Sequence, residues 1–239
     1  DVGHAPRAVQ SGLLVRVLPP EEEAQEARGG DGLDLLAQPI QRRAMNAGEE
    51  PPIAPRLAAL EPAAQHAPFR LEGNEERRTP ELVEALRGGA LVAIVTDGGM
   101  PSVSDPGYRL VRAALDAHVE VTAAPGPSAV TTALAVSGLP CDRFCFEGFL
   151  PHKKGRKTRI EELAREQRTL ILYESPHRIV KTLQALQQVM GDDRRCSVSR
   201  ELTKLHEETL RGTFAELIGH FSQHEPRGEM VVVVEAHRV

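Results

Sequence analysis

The amino-acid sequence predicts an α/β fold in which two α/β halves follow one another along the chain. From residue 71 onward, short apolar runs typical of strands alternate with amphipathic segments typical of helices. Several of these runs end in loops rich in Gly and Pro, where α/β proteins often build ligand sites. The 239 residues include no Trp and only 3% aromatic residues. A core of Ala, Val and Leu suits helices packed on a sheet.

Residues 1–70 differ from the rest of the chain in composition and in hydrophobic pattern. They hold half of the 18 prolines and none of the lysines. Short apolar pieces such as residues 13–18 occur, but no long period of 3.6 or 2 residues connects them. This favours a weakly ordered, atypical segment over a well-formed domain. We expect the remainder of an N-terminal α/β domain over residues 71–124 and a C-terminal α/β domain over residues 125–239.

Caps and apolar runs predict the elements of residues 71–124 in order. Thr79 as N-cap and Pro80 in the first turn predict the start of a helix that ends at Gly88. Leu82, Val83 and Leu86 would form its apolar face. The next elements are a strand over residues 90–95, a helix over 106–118 and a strand over 119–124.

The second half continues the alternation. Thr213 and Glu216 have the spacing of a capping box at the start of a helix. The predicted helices cover residues 128–137, 155–167, 179–190 and 214–221. The predicted strands cover residues 144–149, 169–173, 196–202 and 229–235.

The loop of residues 96–107 has the sequence T-D-G-G-M-P-S-V-S-D-P-G. Its glycines allow the backbone to approach a ligand, and its prolines fix the shape of the loop. It matches neither G-x-G-x-x-G nor a G-K-[ST] ending. Asp97 could accept hydrogen bonds from a ligand or cap a turn. Ser128, after Pro-Gly-Pro, could likewise cap its helix or contact a ligand.

A second candidate is the basic loop of residues 151–159, in a chain whose formal net charge is −5. Such a run is either a solvated loop or a loop that contacts phosphates. The low aromatic content argues against base stacking as the main mode of nucleic-acid binding. The five cations of the loop are Lys153, Lys154, Arg156, Lys157 and Arg159.

Several classes of protein find no support in the sequence. The three cysteines form no C-x-x-C pair, so thiols in a reducing cytoplasm are expected. The nine histidines lack metal-site spacing, so no metal is expected. No apolar run has the length of a membrane span, no secretion signal is indicated, and no G-x-S-x-G elbow suggests a serine hydrolase.

A series of ordered motifs goes further than composition and spacing. They lie at residues 74–75 (N-E), 96–107, 125–129 (P-G-P-S-A), 137–142 (S-G-L-P-C-D), 144–151 (F-C-F-E-G-F-L-P), 173–178 (Y-E-S-P-H-R), 200–204 (R-E-L-T-K) with Glu207, 211–213 (R-G-T) and 228–230 (G-E-M). Together they closely resemble the bacterial 16S ribosomal RNA (cytidine-2′-O)-methyltransferases of the tetrapyrrole methylase family.

The resemblance implies a two-domain fold, distinct from the Rossmann-type methyltransferases, that binds S-adenosylmethionine between its halves and usually forms a homodimer. It implies 2′-O-methylation of a cytidine ribose in 16S rRNA of the small ribosomal subunit, with the basic loop as the RNA contact. The cofactor-binding residues that it implies are Asp97, Gly98, Gly99, Met100, Val103, Ser128, Ala129, Tyr173, Leu202, Gly212 and Met230.

Methyl transfer to a 2′-hydroxyl needs an in-line geometry and a group that takes the proton. Placement at strand ends suggests Glu174 or His177 as that base, with Lys204 stabilising charge on the oxygen. The T-P-I-G-N loop and A-E-D-T-R motif of the family are not found in residues 1–70. This leaves open a disabled homologue that still binds rRNA or dimerises. The alternative within enzymes is a C-methylase of a tetrapyrrole precursor, which the F-C-F-E-G-F-L-P and Y-E-S-P-H-R motifs oppose.

Overall fold

The computed structural model describes residues 12–16, 71, 73–96, 99–124 and 126–237. The chain divides into two compact units, unit 1 over Asp1–Pro127 and unit 2 over Ser128–Val239. The predicted domain boundaries remain predictions, because compactness does not show which segments fold independently. Across the described part of the chain, no helix has both the length and the apolar character needed to cross a bilayer.

Within the described residues, unit 1 contains a three-stranded antiparallel sheet and two helices. Strand β1 (Gly12–Arg16) lies between β2 (Val92–Val95) and β3 (Glu120–Ala124). Helices α1 (Glu75–Arg87) and α2 (Tyr108–Asp116) pack against each other. Apolar side chains of both helices, of β2 and of the residue before β3 form one core: Leu82, Leu86, Ile94, Leu110, Ala114 and Val119.

The position of β1 corrects the expectation that residues 1–70 lack regular structure. Leu14 pairs with Ala93 on one side and with Thr122 on the other. The apolar piece around it is too short to predict a strand by periodicity, and both partners lie about a third of the chain away or more. Backbone pairing with those partners defines the strand. The remainder of the segment lies outside the described residues.

The start of α1 also differs from the prediction. The N-cap is Asn74, and Pro80 lies inside the helix. Thr79 does not cap the helix, because its hydroxyl donates to the Glu75 carbonyl at 2.7 Å. Glu75 in the first turn is fixed from outside the helix, as described below. This tertiary contact starts the helix earlier than Thr79 and Pro80 indicate.

Unit 2 is built on a five-stranded mixed sheet of order β4-β5-β8-β6-β7. Only β4 and β5 run parallel among its pairs, and the other pairs are antiparallel. The strands are β4 (Phe144–Phe149), β5 (Thr169–Glu174), β6 (Arg195–Arg200), β7 (Glu208–Thr213) and β8 (Met230–Val234). The helices are α3 (Ala129–Ser137), α4 (Arg156–Leu163), α5 (Ile179–Met190) and α6 (Phe214–Gln223).

Helices cover both faces of this sheet. On one face α4, α5 and α6 pack against Leu170, Leu172 and Val232, while α3 packs against Ile171 and Val233 on the other. The central strand β8 is therefore buried along its whole length. Its unbroken M-V-V-V-V run is what a strand covered on both faces requires.

Most elements of unit 2 confirm the sequence prediction. Helix α5 has the predicted bounds, and Thr213 and Glu216 form the predicted capping box at the start of α6. Helix α4 ends at Leu163, four residues before its predicted end. Strand β7 was missed because E-T-L-R-G-T is an edge strand with polar and half-buried residues, which gives little apolar alternation.

Candidate functional site

The described part of the 96–107 loop in unit 1 has two positions that require glycine. Gly99 and Gly107 have φ values of 134° and 139°, which side-chain-bearing residues rarely adopt. A Cβ atom on Gly107 would lie 2.7 Å from the Ser102 hydroxyl oxygen, and one on Gly99 would lie 3.1 Å from the Pro127 carbonyl oxygen. The loop is therefore packed tightly, on itself at Gly107 and against Pro127 at Gly99. Asp97 and Gly98 lie outside the described residues.

The same loop holds non-glycine residues in strained conformations. Ser102 and Ser104 have φ values of 69° and 62°. The buried hydroxyl oxygen of Ser102 has no hydrogen-bond partner among the described residues. Val103 between them is exposed, whereas Met100 is half-buried. Backbone strain and an unsatisfied buried hydroxyl are features of ligand-binding loops, so these observations fit a ligand site.

Glu75 fixes the end of this loop. Its carboxylate accepts hydrogen bonds from the backbone N–H groups of Gly107 at 3.0 Å and Arg109 at 2.8 Å. Gly107, the N-cap of α2, has no side chain to satisfy these donors. A carboxylate from α1 therefore caps α2, which explains the glutamate of the N-E motif. The motif by itself does not indicate this function, because the donors that it satisfies lie more than 30 residues away.

In unit 2, several predicted cofactor residues meet near the carboxyl end of β5. Tyr173, Ala129 and Leu202 pack against the same apolar cluster on the α3 face. Met230 pairs with Glu174 on one side and with Arg200 on the other, at the same end of the sheet, but its side chain is buried in the cluster on the opposite face. The structure thus brings these predicted residues to one end of the sheet.

Ser128, also predicted for the cofactor, is the N-cap residue of α3, but its side chain makes no capping hydrogen bond. Its backbone carbonyl accepts from Thr132 at 3.0 Å. Of the two functions that the sequence left open for its hydroxyl, capping is therefore not the one observed.

Gly212 does not join this group. It pairs with Cys196 at the opposite end of the sheet from the Arg200–Met230 pair. A Cβ atom at this position would lie 2.6 Å from the Glu216 carboxylate oxygen Oε2, which accepts from the Thr213 N–H at 2.8 Å. The capping box of α6 therefore explains this glycine without a cofactor.

The loop after β6 positions Leu202 and Lys204. Glu201 and Thr203 adopt positive φ values of 48° and 65°. The Glu201 carboxylate accepts from the Glu229 N–H at 2.9 Å and lies over Gly228, where a Cβ atom would be 2.4 Å from the Glu201 side chain. These contacts join the R-E-L-T-K and G-E-M motifs and set the loop's shape.

Lys204 lies between two carboxylates. Its Nζ is 2.9 Å from Glu229 Oε2 and 3.2 Å from Glu201 Oε1. The hydrogen bond to Glu229, followed by that to Glu201, raises the pKa of Lys204. The side chain is half-exposed and protonated near neutral pH. It can therefore stabilise negative charge but cannot act as a base there.

Glu174 is buried, with 2% of its surface exposed. Its carboxylate accepts from the Thr182 hydroxyl at 2.5 Å and from the Ser175 N–H at 2.8 Å, and lies 3.3 Å from Arg178 Nε. All of these partners belong to the turn after β5 or to α5. Glu174 thus anchors the first turn of α5 from within the protein. His177, in contrast, is exposed on the turn between β5 and α5.

Hydrogen bonds through Thr182 connect the buried Glu174 carboxylate to Arg156 of the basic loop. Arg156 donates to the Thr182 hydroxyl at 2.7 Å and to the Pro151 carbonyl at 3.1 Å. Burial, followed by the charge of Arg178, lowers the pKa of Arg156. Arg178 in turn donates to the Leu150 carbonyl at 2.9 Å. Arg156 is therefore largely occupied in holding the loop.

Arg159 is also occupied. It donates to both carboxylate oxygens of Glu147, with Nη2 2.6 Å from each and Nε 3.0 Å from Oε2, and it pairs with Glu162 at 2.7 Å. The hydrogen bonds to Glu147 are the main cause that raises the pKa of Arg159. The lysines of the loop remain exposed: Lys153, Lys154 and Lys157. The predicted five-cation contact is thus divided into two structural arginines and three exposed lysines.

Comparison with known proteins places this fold. The family profile of the Tetrapyrrole (Corrin/Porphyrin) Methylases matches residues 37–218. The chain belongs to the tetrapyrrole methylase family. A crystal structure of the methyltransferase CobJ superposes on this methylase with a TM-score of 0.56 at 21% identity, covering 80% of this chain and 90% of that one. A conserved hypothetical protein from Aeropyrum pernix K1 gives a TM-score of 0.52 at 21% identity, covering 71% and 65%. The predicted fold class is thereby confirmed.

Relatives with higher identity share one name, ribosomal RNA small subunit methyltransferase I. The Thermotoga maritima protein is 45% identical over 163 residues, which are 68% of this methylase and 73% of that relative. The Mycobacterium tuberculosis H37Rv protein is 48% identical over 161 residues, which are 67% and 56%. The Vibrio cholerae protein is 48% identical over 169 residues, which are 69% and 58%. The match therefore spans little more than half the length of the latter two relatives.

Proposed function

We propose that the protein transfers a methyl group from S-adenosylmethionine to the ribose 2′-oxygen of a cytidine in the 16S rRNA of the small ribosomal subunit. The supporting observation is the identity of 45–48% to relatives named ribosomal RNA small subunit methyltransferase I. The comparisons do not favour a C-methylase of tetrapyrrole precursors, because the likeness to CobJ at 21% identity bears on the fold alone. They do not favour a disabled homologue either.

The cofactor site that we infer uses the residues implied by the family resemblance. In unit 1 these are Asp97 and Gly98, together with Gly99, Met100 and Val103 of the strained loop, whose unsatisfied Ser102 hydroxyl supports a ligand there. In unit 2 they are Ser128, Ala129, Tyr173, Leu202 and Met230, and the non-capping hydroxyl of Ser128 supports this part. When bound, S-adenosylmethionine supplies an electrophilic methyl group. For Gly212 the capping box of α6 offers a structural explanation, and its cofactor contact stays a prediction.

For the proton of the 2′-hydroxyl we infer His177 as the acceptor. It is exposed on the turn after β5, whereas Glu174 is buried and engaged by Thr182, Ser175 and Arg178. Glu174 is then a positioning residue that holds this turn. The protonated Lys204 would stabilise charge on the oxygen.

For the RNA we infer phosphate contacts by Lys153, Lys154 and Lys157, which are exposed, while Arg156 and Arg159 hold the loop in shape. Phosphate contacts need accessible cations, and each one adds to the salt dependence of binding. A homodimer in the cytoplasm completes the proposal, and it is supported by the family resemblance.

The test is methyl transfer by the full chain from methyl-labelled S-adenosylmethionine to unmethylated small ribosomal subunits and to their isolated rRNA. After nuclease digestion, mass spectrometry should find 2′-O-methylcytidine. Label on a base, or no label although the protein binds the cofactor, would contradict the proposal.

The assignment of the base is tested separately by His177→Ala. We expect kcat to fall at least about 100-fold with little change in KM, as for loss of a general base. His206→Ala, on the exposed loop after β6, is the matched control and should remain near the wild-type rate. An unchanged kcat for His177→Ala would exclude His177 as the proton acceptor.

A further inference from the structure

Three aromatic rings form a cluster at the carboxyl ends of β4 and β5. The Tyr173 ring lies 4.9 Å from that of Phe146 and 5.6 Å from that of Phe149, measured between centroids. Both contacts are edge-to-face, a favourable arrangement for aromatic pairs. In a chain with only two Tyr and six Phe, this cluster concentrates much of the aromatic content at one place.

A β-bulge directs Phe149 into this cluster. The pairing of β4 with β5 shifts between Phe146 and Gly148, so that Phe146 pairs with Ile171 and Phe149 pairs with Tyr173. Side chains alternate between faces along a strand, so residues three apart normally lie on opposite faces. The extra residue brings Phe149 to the face of Phe146 and Tyr173. Gly148 makes this possible with a φ value of 63°.

The cluster leaves Phe149 largely in solvent. Its exposed fraction is 56%, whereas Phe146 is half-buried and packs against the core of the α3 face. Among the described strands, β4 lies at the edge of its sheet and pairs only with β5. The ring is thus held by Tyr173 and still accessible.

The surroundings of Phe149 are suited to a polyanion. The basic loop follows directly, with exposed Lys153 and Lys154. The carboxylate nearest in sequence, Glu147, is neutralised by its bidentate contact with Arg159. A surface cavity of about 500 Å³ is lined by Phe149 together with Leu150, Pro151, Gly155, Thr158 and Arg159. The lining also includes Glu147 and Glu162, and both carboxylates pair with Arg159.

We propose that Phe149 is a stacking platform for one unpaired base of the RNA whose phosphates the basic loop contacts. The proposal rests on the proposed function in taking RNA as the partner, and it adds a base contact to that function. Aromatic side chains stack on bases of single strands, while adjacent cations contact the backbone. A single platform agrees with the aromatic-poor sequence, since stacking supplements the phosphate contacts here.

The test measures RNA affinity without methyl transfer. A fluorescently labelled 12-nucleotide oligocytidine is titrated with the full chain at about 50 mM salt, and anisotropy is recorded. Phe149→Leu, which removes the ring but keeps an apolar side chain, should weaken binding about 5- to 100-fold. Phe149→Tyr should restore it. Phe144→Leu is the matched control, at the other end of the same strand and 39% exposed, and should bind as the wild type does.

Two further readouts separate stacking from charge. Phe149→Leu should leave the slope of log affinity against log salt unchanged. The double variant Lys153→Ala, Lys154→Ala should instead reduce this slope by about 0.7 for each phosphate that the loop no longer neutralises. An oligonucleotide with one 2-aminopurine should show quenched fluorescence on binding to the wild type, and Phe149→Leu should remove this quenching.

Wild-type protein that does not bind RNA at this salt, or Phe149→Leu with unchanged affinity and quenching, would overturn the proposal. A change in sedimentation of Phe149→Leu without a change in RNA affinity would assign the ring to contact with a second copy of the chain instead. The two proposals fail separately. Loss of RNA affinity in Phe149→Leu supports the platform even if no methyl transfer is found, and methyl transfer with unchanged RNA affinity rejects only the platform.

Discussion

Glu174 and Glu166 are both carboxylates beside an arginine, but their surroundings give them different functions. Glu174 is buried and satisfies a hydroxyl, a backbone N–H and Arg178. Glu166 lies near the surface and contacts Arg168 at 2.8 Å. Glu174 is part of the structure that supports the candidate site. The ionisation of Glu166 makes the stability of the fold depend on pH. Each difference has a measurable consequence.

Replacing the buried carboxylate of Glu174 should lower the free energy of unfolding of the protein. Glu174→Gln removes the negative charge between Arg178 and Arg156, which leaves these cations without compensation in a buried place. We expect a loss of about 2–4 kcal/mol in the free energy of unfolding, measured with urea. The control Glu161→Gln, in an exposed pair with Lys157, should change it by less than about 0.5 kcal/mol. Unchanged stability in Glu174→Gln would contradict this structural function, and a collapse of kcat without loss of stability would identify Glu174 as the base.

Glu166 should make stability depend on pH in acid. Hydrogen bonds from the Arg168 side chain are the main cause that lowers the pKa of Glu166 to about 2 from an ordinary value of 4.5. Because the folded-state pKa is the lower one, the ionised group stabilises the fold above about pH 4.5, and this stabilisation is lost as the pH falls toward 2. Urea unfolding of Glu166→Gln should therefore show a smaller decrease in stability between pH 5 and 3 than the wild type. Arg168→Gln should have the same effect, and parallel curves for all three proteins would contradict this explanation.

At the scale of elements, α2 begins with a cap that comes from another helix. Glu75→Ala would leave the N–H groups of Gly107 and Arg109 without their acceptor and remove a negative charge from the helix N-terminus. We expect a loss of about 1–2 kcal/mol in the free energy of unfolding of unit 1. Glu76→Ala is the control, because its pair with Arg109 is exposed. Hydrogen exchange should show faster opening of the first turn of α2 only in Glu75→Ala.

A substitution at Gly212 can distinguish a structural function in the capping box of α6 from a contact with the cofactor. Gly212→Ala would place a methyl group 2.6 Å from the Glu216 carboxylate and displace the capping box of α6. We expect a loss of about 1–2 kcal/mol, and a smaller one in a Glu216→Ala background, where the cap is already absent. Gly219→Ala, with open space around it in the same helix, should instead stabilise by about 0.5–1 kcal/mol. Unchanged stability with weaker cofactor binding would return Gly212 to the cofactor site.

At the scale of the whole molecule, the sheet of unit 1 depends on a strand far away in sequence. Strand β1 pairs with both β2 and β3, which do not pair with each other. Leu14→Pro would remove a backbone donor from this central position. Hydrogen exchange should then lose protection in Val92–Val95 and Glu120–Ala124, while Thr169–Glu174 and Met230–Val234 of unit 2 stay protected. Equal loss in both units would show that they unfold together.

Local pattern was sufficient for much of the fold. The bounds of α5, the capping box of α6 and the buried M-V-V-V-V strand all follow from residues that are neighbours in sequence. The start of α1, the strand β7 and the strand β1 do not. In each of these the deciding contact comes from elsewhere: Glu75 bonds to α2, and β7 and β1 are defined by their partner strands. Helix and strand propensity and hydrophobic periodicity reflect only interactions between residues that are close in sequence. The tertiary contacts at these three elements outweigh those local preferences.

The sequence by itself determined the family, the order of most elements and the segments that carry the candidate site. It could do so because motifs and amphipathic periods are local properties of the chain. Only the tertiary structure decided which polar side chains are free to act. Glu174 is buried against Thr182, Arg159 is held by Glu147, and Lys153 remains exposed, although all three are simply charged residues in the sequence. Burial and pairing depend on partners that folding brings from distant positions, and these set the charge, the accessibility and hence the chemistry of each group.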